Sequence, residues 1–132
     1  MALNYKRLFL ATLFCGVGMW IIAGLWHNLI LPGINKDIHP HHEGIGILLI
    51  AYFVLAFLMT YFYSMLPKTD KPLINGIKTG VLIGILWVFP HGLAMAGAHE
   101  TSVLYEIKNT LWHIFEQGIG GIIIAYIYKP GQ

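Results

Sequence analysis

The chain has 132 residues, of which 57% are hydrophobic and only 11% charged, and its mean hydropathy is +0.67. A soluble domain carries about 25% charged residues, so an ordinary water-soluble globule is excluded: the polar groups needed to cover its surface are missing. The net charge of +2 is the balance of six acidic residues against eight basic ones scattered along the chain. They form no basic stripe of the kind nucleic-acid binding needs, and no nucleic-acid partner is expected.

In chain order, the first apolar run covers about 8–31 and stops at Pro32-Gly33, and the second covers 44–66 and stops at Pro67. The third covers 79–98 and the fourth 104–128. Each is about 20 residues or longer, enough to cross a hydrocarbon core of roughly 30 Å as a helix. Strands are excluded, because the runs are about twice the length of a barrel strand and do not alternate strictly. The expected fold is therefore an all-α integral membrane protein, a single four-transmembrane-helix bundle over residues 1–132.

Lys6 and Arg7 precede the first run, Lys68, Lys71 and Lys78 lie between the second and third, and Lys129 follows the fourth. The positive-inside rule puts these residues in the cytoplasm, with both termini, in a plasma or inner membrane. The first run lacks a small-x-small cleavage pattern near its end and is expected to stay as an uncleaved helix. Cys15, the single cysteine, sits within it and is read as a small hydrophobe. Gly76, Gly80 and Gly84 recur every fourth residue, and Gly121 with Ala125 repeats that spacing, so both stripes are candidate helix-packing faces. Trp26 and Trp112 fall near the outer boundary as expected interfacial anchors.

Histidine is the unusual component, with seven copies against six Asp plus Glu. Counting from the cytoplasmic ends at ~1.5 Å per residue puts His91 and Glu116 ~18 Å up, His113 ~22 Å and His27 ~28 Å. Glu106, Asn109, Thr110, His113, Glu116, Gln117, Gly120 and Gly121 follow the three-and-four spacing of one helical face. A polar face at that depth turns inward, because an unpartnered ionisable group in lipid costs several kcal/mol. His113 and Glu116, three residues apart, are neighbours on that face and fit either two metal ligands or a hydrogen-bonded acid/base pair. Pro90 removes a helical hydrogen bond beside His91 and is expected to kink the third helix there.

Three chemistries fit this cluster. His27, His91, His113 and Glu116 could hold a transition metal such as Zn, Fe or Cu, with His39, His41, His42, Glu43, His99 and Glu100 as outer ligands. His91 with His113 or His27 could ligate a b-type haem, with nearby glycines giving clearance. The same polar stripe could conduct protons or ions. The competing expectation is a non-catalytic accessory subunit. A chain this small is expected to act as a homo-oligomer or within a larger membrane complex. No phosphate loop, dinucleotide fingerprint or nucleophile–base motif is present, so an enzymatic assignment stays open.

Overall fold

Asn4 opens the first helix by accepting the Arg7 N–H through its side chain at 3.1 Å, an N-cap that satisfies one of the first-turn donors. Helix α1 (Tyr5–Leu25) continues into a π-helical turn, Trp26–Ile30. It is followed by α2 (Ile45–Met65), α3 (Pro72–Ala98) and α4 (Val103–Ile127). The computed structural model describes residues 3–30, 44–98 and 102–128, and among them there is no strand. Pro72 begins α3 where its missing N–H costs nothing. Ser102 caps α4 by accepting the Tyr105 N–H at 3.1 Å.

The expected spans match these elements to within a few residues, except that α3 starts at Pro72, a full two turns before Thr79. Helix α3 also continues through Pro90 to Ala98. Helices α1, with its π-turn, α2 and α3 are long and apolar enough to cross a membrane. Helix α4 is not among them, because His113, Glu116 and Gln117 interrupt its middle.

Packing follows from side-chain size. Gly76, Gly80, Gly84 and Gly92 of α3 line one seam against α4. A Cβ at Gly76 would stand 2.6 Å from the Gly121 carbonyl oxygen, and one at Gly80 would overlap the carbonyl oxygen of Gln117. The two backbones therefore touch, as the glycine spacing predicts, and Gly121 and buried Ala125 complete the opposing face. Helix α1 packs on α2 and on α4 through Ala11, Cys15, Met19 and Ala23. Among the helix pairs in contact, α2 and α3 touch each other least, so the bundle is open on that side.

The burial pattern is the reverse of a soluble protein's. Thr60, Thr79, Thr110, Glu116 and Gln117 are inside, whereas Phe9, Phe14, Leu48, Ile50, Leu86, Leu111 and Phe115 are exposed. In water that apolar surface would drive aggregation; in hydrocarbon it is the stable arrangement. At the lysine-rich end, the Tyr128 hydroxyl donates to the Asn4 carbonyl at 3.3 Å. The Lys68 ammonium donates to the Ser64 carbonyl at 3.2 Å and lies over the rings of Tyr63 and Tyr128, at 5.4 and 5.8 Å. Burial there holds the Lys68 amine below its ordinary pKa.

Candidate functional site

The inward face of α4 carries the site. Glu116 is 0% exposed and His113 19%, and the His113 Nδ1 to Glu116 Oε2 distance is 3.0 Å. One turn of helix fixes this geometry, since residues three apart lie side by side. Either an imidazole Nδ1–H donates to the Glu116 carboxylate or a carboxyl O–H donates to Nδ1, according to the tautomer of His113.

The second carboxylate oxygen, Oε1, has no hydrogen-bond partner among the described residues. The Tyr52 hydroxyl from α2 is close enough to this carboxylate to interact with it as a hydrogen-bond donor, and buried Cys15 from α1 lies within its electrostatic range. Gln117 is also completely buried, with both amide atoms unpartnered. It faces the glycine seam, where its Oε1 would be 3.2 Å from a Cβ placed on Gly84. Adjacent residues on a helix point about 100° apart. Glu116 therefore turns toward α1 and α2, while Gln117 turns toward α3.

Trp26 and Trp112 stack face to face with centroids 4.1 Å apart and an interplanar angle of 9°. This contact puts the end of α1 level with His113. His27, the next residue, is exposed on the π-turn yet within electrostatic range of His113 and Glu116.

His91 is a different case. The seam pairs Gly80 with Gln117, Gly84 with Ile114 and Gly92 with Glu106. His91 is thus level with Glu106, ten residues or ~15 Å along α4 from Glu116, away from the lysine-rich end. Counting from Thr79 misplaced it because α3 begins seven residues earlier. Its side chain is exposed, one turn beyond Trp87 on the same face of α3. His91 is therefore not opposed to His113 as a pair of haem ligands would be. Among the described residues no group of three or more His, Cys, Asp or Glu side chains is placed to hold a metal ion. The other expected outer ligands, His39, His41, His42, Glu43, His99 and Glu100, lie outside the described residues.

Between the splayed α2 and α3 runs a cleft of about 840 Å³ that ends on His113 and Glu116. Its walls include Tyr52, Leu55, Met59 and Phe62 from α2, with Ile83 and Trp87 from α3. The Trp87 ring stands 5.9 Å from the His113 ring at an interplanar angle of 57°. Tyr52 and Trp87 were not anticipated from the sequence. Their place in the half of each helix away from the lysine-rich loop was the available signal, but an aromatic in an apolar run is ordinarily packing.

No family model, no curated protein and no solved structure matches this chain. The fold and the site geometry alone carry the functional reading.

Proposed function

We propose that this is a four-span plasma-membrane or inner-membrane protein, both termini cytoplasmic, whose working part is the His113–Glu116 pair, a ligand-binding site that exchanges a proton with its ligand. The observation that carries this reading is Glu116: it is completely buried, one carboxylate oxygen is held by His113, and the other is left without a partner. A buried polar atom without a partner is uncommon and calls for a ligand, a water or a functional role. An ionisable pair at this depth is a functional candidate by default. Helix α4 completes the set of spans because its polar face turns inward while Leu111 and Phe115 face out. Lys68, Lys71 and Lys78 support the orientation.

Binding of a transition metal or haem ranks behind this reading, because among the described residues only His113 and Glu116 stand within ligating reach of each other. The accessory-subunit reading is ranked lower too: a helix–helix contact would use the polar face of α4, which is already covered by α1 and α3.

The test is an acid-minus-alkaline infrared difference spectrum of the purified protein in lipid nanodiscs. The wild type is expected to show a titrating carboxyl band that Glu116→Gln removes. Identical spectra for wild type and variant would refute a proton-exchanging site.

A further inference from the structure

Taking the His113–Glu116 pair as that binding site, we infer that its ligand is a membrane-dissolved hydroxylated aromatic ring on a hydrocarbon tail, of the phenol or quinol class, entering sideways between α2 and α3. The cleft gives the size: about 840 Å³ lies within the range of roughly 300–1,000 Å³ typical of small-molecule sites. Its lining is mostly apolar, with His113, Glu116 and Tyr52 together and Tyr61 nine residues further along α2, so a molecule that fits is largely hydrophobic with a polar group placed at Glu116. Leu58 and Phe62 on α2 and Leu86 on α3 are exposed at its sides, so with the helices in a bilayer the cleft opens to lipid rather than to water.

The polar end specifies the tip. Glu116 Oε1 closes no hydrogen bond, although the Tyr52 hydroxyl lies beside the carboxylate, and a ligand hydroxyl at this point supplies a donor to it. A phospholipid acyl chain ends in a methyl group and leaves that oxygen unpartnered, the costlier outcome in a buried site. A ring is specified by the aromatic surfaces beside the carboxylate, since Trp87 and Tyr52 flank the His113 imidazole and the Glu116 carboxyl. Offset or edge-to-face contacts with a flat ring are favoured there over contacts with a flexible chain.

The experiment measures binding of tritiated 4-nonylphenol to the protein in nanodiscs, with empty nanodiscs as the partition blank. Saturable one-to-one binding is expected, with nonylbenzene and 1-dodecanol competing about 10- to 100-fold more weakly, the range for loss of a hydrogen bond to a charged group or of the ring contacts. Glu116→Gln is expected to weaken binding by a similar factor. Ala51→Trp, which fills the cleft from its exposed α2 wall, is expected to abolish binding while keeping the Glu116 infrared band. Equal competition by nonylbenzene or by dodecanol, or binding that survives Ala51→Trp, overturns the ligand class. A titrating Glu116 band without saturable nonylphenol binding also overturns it but leaves the proton-exchanging site standing; loss of the band itself would remove both.

Discussion

Gly80→Ala is expected to destabilise the protein by about 3 kcal/mol, the upper end for overpacking, because the new methyl group meets backbone rather than a movable side chain. Its Cβ would overlap the Gln117 carbonyl oxygen and crowd the Gln117 carbonyl carbon at 2.6 Å and the Gly118 Cα at 2.7 Å. Relief requires α3 and α4 to separate, which also opens the seam at Gly76, Gly84 and Gly121. Gly97→Ala is the matched control, since nothing lies within 4 Å of a Cβ there. It is expected to change stability by no more than about 0.5 kcal/mol. Thermal unfolding in mild detergent, followed by circular dichroism, compares the two. Equal midpoints for both variants would show that the glycine seam does not hold α3 to α4.

A comparable loss is expected from His113→Leu, for a different reason. The substitution keeps the volume of the side chain but leaves Glu116 buried with neither oxygen partnered. Breaking a buried pair by removing one member costs about 3–5 kcal/mol, whereas replacing both members with apolar groups of similar size is often close to neutral. The double variant His113→Leu with Glu116→Leu is therefore expected to be more stable than His113→Leu alone, even though it carries more changes. That non-additivity is the signature of a direct pair. The same detergent unfolding assay measures it, and a double variant less stable than either single one would show that the two residues act independently. The stable double variant would also be unable to bind, which separates the structural role of the pair from its functional one.

Much of this fold could be read from the sequence because lipid imposes simple rules. Apolar length marked the helices, and the described helices end within a residue or two of the apolar runs, at Ile30, Met65 and Ala98. The spacing of Gly76, Gly80 and Gly84 marked the α3–α4 seam before any coordinates, since only glycine permits that backbone approach. The three-residue offset of His113 and Glu116 gave their contact directly. Register between helices was less legible. It depends on where each helix begins, and Pro72 opens α3 outside the apolar run, so His91 was assigned a depth that the seam corrects.

The cleft had no sequence signature at all. It results from α2 failing to close on α3, because α3 spends its glycines on α4 and α2 packs mainly on α1. Tyr52 and Trp87 acquire their meaning only from that opening. The stack of Trp26 on Trp112 was similarly hidden, because each tryptophan alone reads as an interfacial anchor, while the contact between them depends on the relative rotation of α1 and α4.

The account rests above all on α4 crossing the membrane with its polar face inward. Nitroxide labels on single cysteines along α4, introduced in a Cys15→Ala background and studied in bilayers by electron paramagnetic resonance, test this most directly. Oxygen accessibility is expected to be high at positions 111, 115 and 126, which are exposed, and low at 117 and 124, which are buried. Collision with a water-soluble nickel reagent is expected to be low at all five. High oxygen accessibility at 117 and 124, or free access of the nickel reagent along the helix, would contradict the inward polar face and with it the site.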